Sequence, residues 1–179
     1  MELVLQYYEK SEGLGEGAFQ NAHLITEASK KLGALYLGDL TAAQDIEYLK
    51  ENKISCVLTV ADIKALSLPK SIVSSYLRIP ADDSVSFKLN AYYDQCFKFI
   101  QENRSRGKNV LVHCMAGISR SAAIVMGYLM ATENMNLESA YKFVRKKRTL
   151  AFPNMGFVKQ LKDYEKQLKL KALRKQKTL

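Results

Sequence analysis

Asn109-Val110-Leu111-Val112-His113-Cys114-Met115-Ala116-Gly117-Ile118-Ser119-Arg120-Ser121 begins as an apolar run and ends where a helix begins, with small residues between. The run Asn109–His113 is apolar without alternation, the pattern of a strand buried on both faces. From Ser119 to Asn134 the spacing predicts a helix. A buried strand passing straight into a helix is the building unit of an α/β sheet, and the rest of the chain repeats the theme.

Upstream, His23–Thr26 and Ala34–Leu37 read as short strands and Ile54–Val60 as a buried parallel strand. Thr41, with Gln44 three residues on, reads as the cap of a helix carrying Ala42, Ile46 and Leu49 on one face. Tyr76–Ile79 is a further strand, closed by Pro80. Leu89, Tyr93, Cys96 and Ile100 then form an amphipathic stripe at spacings of 4, 3 and 4, and Gly107 suits the residue after a helix end. Downstream, Asn136 caps a helix through Tyr141, Val144 and Lys147, and a last helix carries Phe157, Leu161, Tyr164 and Leu168. The expected architecture is a single α/β domain with a mostly parallel central sheet flanked by helices. Its parts are an arm or helix over 1–20, a body over 21–165 and a basic helix or tail over 166–179.

The composition of the 179 residues removes several function classes. Hydrophobic residues make up 47% and charged residues 25%, a globular balance. The longest apolar stretch, Ser121–Ala131, is too short to span a bilayer. The first residues lack the basic start and apolar core of a secretory leader, and Glu2 stands where N-myristoylation needs Gly. The expected location is therefore the cytoplasm, the nucleus or both. Three widely spaced cysteines and two histidines make neither a disulfide framework nor a metal site, so neither metal nor cofactor is expected. The net charge of +9 is uneven: residues 151–179 carry eight Lys/Arg against Asp163 and Glu165. Excess concentrated in a tail argues against a nucleic-acid-binding face, and leaves peripheral contact with an anionic surface as a use for the tail. Nothing in the chain signals an oligomeric state.

The opening stretch is where chemistry concentrates. A loop between a strand and a helix N-terminus lies where ligands bind in open α/β sheets. Its backbone amides and the helix dipole suit an anion. Gly117 permits the curl this needs, and Met115, Ala116, Gly117, Ile118 and Ser119 supply the amides. Arg120, six residues after Cys114, returns a planar fork matched to phosphate. Such a cup favours a thiolate at Cys114. Thiolate, amide cradle and Arg fork suit attack on phosphorus with a phosphocysteine intermediate. Cys56, on a strand, and Cys96, on a helix face, read as small buried hydrophobes.

His113-Cys114-x5-Arg120-Ser121 resembles the phosphate loop of the cysteine-dependent protein phosphatases, and its fuller form resembles the dual-specificity branch. Leu35-Tyr36-Leu37-Gly38-Asp39 and the segment from Arg145–Arg148 to Pro153-Asn154-x-x-Phe157 are similar to that family's early strand and late loop. The resemblance covers about Ala22 to Glu165. It implies a phosphatase-type fold and hydrolysis of phosphotyrosine and phosphoserine/phosphothreonine in phosphorylated protein substrates. It also implies a general acid in the loop Ile79–Leu89. Both Asp82 and Asp83 lie there; alignment on Phe87 and Leu89 puts Asp83 at the acid position. Ser121 takes the role of a hydroxyl assisting thiolate departure, and His113 that of a residue orienting the loop. Asn154 is expected to brace the loop. Arg148 is expected to meet a second substrate phosphate or to decorate a solvated helix end.

Two other readings stand beside this one. A phosphatase acting on phosphoinositides or RNA 5′-phosphates would use the same loop, but lipid-directed relatives place Lys within it and this chain does not. A phosphate-binding scaffold without turnover is the other. Such proteins usually lose the nucleophile, which this chain keeps.

Overall fold

The computed structural model describes residues 21–176; the arm or helix expected over 1–20 lies outside them, as do 177–179. Five strands form one sheet: β1 (Ala22–Thr26), β2 (Leu35–Gly38), β3 (Ile54–Val60), β4 (Ser75–Ile79) and β5 (Asn109–His113). Their order is β1-β2-β5-β3-β4, with β1 antiparallel to β2 and the remaining pairs parallel. The opening stretch of sequence thus supplies the central strand. β5 is buried over Val110–His113 because it has neighbours on both edges and cover on both faces.

Alternation sorts the side chains between two cores. Cys56, Leu58 and Val60 of β3 and Val110 and Val112 of β5 face a layer of helices: α3 (Tyr93–Ser105), α4 (Arg120–Thr132), α5 (Leu137–Lys147) and α6 (Met155–Gln176). Val57 and Leu111 point the other way, toward α1 (Leu40–Gln44), α2 (Ile46–Glu51) and Leu66, Leu68 and Val73 of the following loop. Helix α4 lies between sheet and helices, so every residue from Arg120 to Met130 is buried.

The 41–53 region departs from the single helix expected. Asp39 Oδ1 accepts from Ala42 N at 2.9 Å and Asp45 Oδ1 from Tyr48 N at 2.9 Å, so two aspartates each cap a short helix. Asp45 is extended and breaks the run, and Thr41 caps nothing. Asp competes well with Thr as a cap, and it sits here at both positions the chain needs. Elsewhere boundaries shift by one or two residues. Asn136 caps α5 through Ser139 N, and Gly107 takes φ +73° after α3. Helix α6 runs without a break through residue 165, so 166–176 continue the last helix of the body. Among the described residues no helix is long and apolar enough to cross a membrane.

Candidate active site

The C-terminal ends of the parallel strands carry the site. Between β5 and α4 the chain turns through Cys114–Ser119, and the carbonyls of this turn are all drawn outward. Cys114 O accepts from His113 Nδ1 at 3.1 Å, and Met115 O from Leu40 N at 3.1 Å. Ala116 O and Gly117 O accept from Arg148 Nη2 and Nε at 3.1 and 2.8 Å, and Ile118 O from Phe152 N at 2.6 Å. With five successive carbonyls turned out, the amides turn inward; none from Met115 to Ser119 donates to another described residue. Gly117 takes φ +65°, and a Cβ there would come within 2.5 Å of Gly38 O. The loop is a ring of free N–H groups at a helix N-terminus, which is a site for a tetrahedral oxyanion.

Cys114 sits at the base of this ring and receives the Ser121 hydroxyl on Sγ at 3.2 Å. Ser121 lies in the buried first turn of α4, and its hydroxyl points back at the sulfur. Arg120 is buried too. Its Nη1 donates to Ala81 O at 3.1 Å, and its Nε lies 3.5 Å from Asp83 Oδ2, too poorly aimed for a hydrogen bond. That buried Nε has no hydrogen-bond partner among the described residues, so the N–H is available to a bound oxyanion.

Across the cleft, Asp83 is fixed by two donors. Ser119 Oγ gives it a 2.6 Å hydrogen bond and Asn154 Nδ2 one of 2.8 Å, both to Oδ1. Oδ2 faces Arg120. Asp82 points into solvent and takes no part in this network. Ser119 precedes α4 as its cap residue but spends its hydroxyl on Asp83, which leaves the first-turn amides of α4 uncapped. Its oxygen also accepts from Asn154 N at 3.0 Å, so one serine ties the phosphate loop to both neighbouring loops.

His113 is fully buried, with Thr59 Oγ1 2.7 Å from Nε2. Burial pulls its pKa down to about 4, against a smaller upward pull from the Cys114 carbonyl. The imidazole is therefore neutral near pH 7, with the Nδ1 proton on that carbonyl; it orients the loop by a hydrogen bond and carries no charge to the sulfur.

Arg148 sits differently from the position expected of it. Arg148 is 1% exposed and reaches no solvent phosphate. Besides the Ala116 and Gly117 carbonyls it donates to His23 Nδ1 at 2.9 Å, which ties β1 to the loop. Burial lowers its pKa from the ordinary Arg value, while the carboxylate of Asp39 and then Cys114 raise it. Asn154, expected to brace the loop, reaches it through its backbone N–H on Ser119 Oγ, while its side chain goes to Asp83 and to Phe157 N as the first turn of α6 forms. The sequence carried a signal for the buried arginine. Ala140, Tyr141 and Val144 line the inner face of α5, and Arg148 falls four residues after Val144 on that same face. Thr59, Leu40, Ala81 and Phe152 had no such mark, because three of them act through backbone groups that any residue owns.

Comparisons with known proteins converge on one family. The family model for the dual specificity phosphatase catalytic domain matches residues 35–167. The chain is 41% identical to dual specificity protein phosphatase 22 of Homo sapiens over 138 residues, 77% of this chain and 73% of that protein. It is 37% identical to dual specificity protein phosphatase 1B of Arabidopsis thaliana over 172 residues, 94% of this chain and 98% of that protein. The crystal structure of human DUSP28 superimposes with a TM-score of 0.75 at 27% identity, over 84% of this chain and 96% of that one.

Proposed function

The chain belongs to the dual-specificity phosphatase family, a family of protein phosphatases, and from that premise we propose the residue-by-residue course of its reaction. The catalytic unit is 21–165. The Cys114 thiolate attacks the phosphorus of a phosphotyrosine, phosphoserine or phosphothreonine; an S–P bond forms as the P–O bond to the side chain breaks. Asp83 gives its proton to the departing oxygen. Amides of Met115–Ser119 and the Arg120 fork hold the equatorial oxygens, where charge spreads in the transition state.

In the second half the Asp83 carboxylate takes a proton from a water that attacks the same phosphorus. The S–P bond breaks, the Ser121 hydroxyl donates to the returning thiolate, and inorganic phosphate leaves. Ser119 and Asn154 hold Asp83 for both halves; His113 and Arg148 hold the loop. The 3.2 Å contact from Ser121 Oγ to Cys114 Sγ inside a ring of free amides carries this reading. It favours turnover over a phosphate-binding scaffold, because binding alone has no use for a hydroxyl aimed at the sulfur. Phosphoprotein substrates follow from the family. The cytoplasm and nucleus, and signalling, are the setting we infer for them.

The experiment is hydrolysis of an aryl phosphate in EDTA, quenched in acid and read by mass spectrometry. Wild type should show a phosphoryl adduct on the peptide holding Cys114, and Cys114→Ser should show none, with turnover down at least about 10³-fold. Binding of vanadate without turnover by wild type would hand the site to the scaffold reading.

A further inference from the structure

Large apolar side chains left exposed among the described residues fall in two places. Leu170 and Leu173 stand on the basic end of α6. The other three, Val85 at 66% exposure, Met115 at 45% and Met155 at 37%, lie on the acid loop, on the phosphate loop and at the first residue of α6. Single exposed apolar residues are ordinary; several gathered at the mouth of one cleft mark a binding surface.

Their placement follows from contacts already described. Met115 directly follows the nucleophile, and its carbonyl is tied to Leu40, on the β2 side of β5. Val85 lies two residues past Asp83, on the loop after β4, which the strand order puts on the other side of β5. Met155 follows Asn154, whose amide holds Asp83. Gly156, next along, packs against the acid loop so closely that a Cβ would come within 2.0 Å of Val85 O. Val85 and Met155 therefore share one bank of the cleft, and Met115 stands on the opposite one. A phosphate group is consumed by the loop amides and Arg120, so these side chains face whatever adjoins the phosphorylated residue. The exposed charges on the Val85 loop are Asp82, Asp83 and Lys88, and the two carboxylates repel an acidic neighbour.

We propose that Val85, Met115 and Met155 form an apolar rim that receives apolar side chains flanking the phosphorylated residue. The substrate class is then phosphoprotein segments with Leu, Ile, Met or Phe beside the phosphoresidue, rather than acidic ones. The inference rests on the catalytic reading above. The test measures kcat/KM for matched phosphotyrosine peptides whose flanking residues are Leu, Ser or Asp, with wild type, Val85→Ser/Met155→Ser and Val85→Leu/Met155→Leu. Wild type should favour the Leu peptide over the Ser peptide by roughly tenfold, through KM, with Asp poorest. The Ser variant should lose that ratio and the Leu variant keep it. Turnover of an aryl phosphate, which has no flanking side chain, reports the phosphate site in each protein.

Equal rates on all three peptides, a preference for Asp, or a preference that survives in the Ser variant would overturn the rim. Self-association of wild type that the Ser variant loses, with peptide rates unchanged, would assign the patch to a second copy and overturn it also. Absence of aryl phosphate turnover by wild type would remove the catalytic reading, and the rim with it.

Discussion

The phosphate loop is held through its backbone from several sides, whereas residues 82–86 across the cleft reach the other described residues outside their own turn by hydrogen bonds through one side chain, Asp83. Leu40, His113, Arg148 and Phe152 fix the carbonyls of the first, and reach it from β2–α1, β5, the end of α5 and the segment before α6. Ser119 and Asn154 fix the second. A cradle for a transition-state charge must not reorganise as charge develops, and backbone dipoles anchored at both ends meet that need. An acid that becomes a base within one cycle must exchange protons with substrate and water. A partly exposed carboxylate on a side-chain tether suits that.

Breaking the acid side should cost activity and little else. Asp83→Asn should lower turnover of alkyl or weakly activated aryl phosphates by about 10²–10⁴-fold, with a thermal midpoint near that of wild type. Asp82→Asn should change turnover less than about twofold. If Asp82→Asn proves the inactive one, Asp82 is the acid and the contacts to Asp83 are structural.

Breaking the loop side should cost stability and binding together. Arg148→Met leaves the Ala116 and Gly117 carbonyls without their donor in a buried setting. It should lose about 3 kcal/mol, read as a thermal midpoint lowered by roughly 6–12 °C, and vanadate should bind at least about tenfold more weakly. Unchanged vanadate affinity would mean that the amides keep their direction without the arginine.

A smaller effect sharpens the same contrast. His113 holds its carbonyl as a neutral ring, with a pKa near 4 folded against about 6.5 unfolded. The unfolded chain binds the extra proton first, so stability falls as pH drops from about 6.5 toward 4, at up to ~1.4 kcal/mol per unit. Urea midpoints for wild type and His113→Gln between pH 7.5 and 5 should show a steeper decline in wild type. Parallel slopes would place the titrating group elsewhere.

What could be read from the sequence follows the same division. The nucleophile, the arginine and the hydroxyl lie within eight residues, so local geometry alone relates them, and the strand–loop–helix unit is plain in the apolar pattern. The acid was legible only through resemblance, which points to the loop holding Asp82 and Asp83 and, by alignment, to Asp83. Long-range supports were harder. Arg148 is hidden in a basic run whose charge looks solvated, and only the α5 periodicity separates it from Arg145, Lys146 and Lys147. The two-helix break at Asp45 was missed because the apolar spacing across it still suits one helix.

The order of synthesis gives the buried arginine a further consequence. A ribosome delivers Cys114, Arg120 and Ser121 well before Arg148, Phe152 and Asn154, so a growing chain holds its nucleophile before it holds the groups that shape the cradle and seat the acid. Until that later stretch has emerged and docked, a phosphate finds a cysteine without a site, and an unfinished chain cannot act on whatever phosphoproteins surround it.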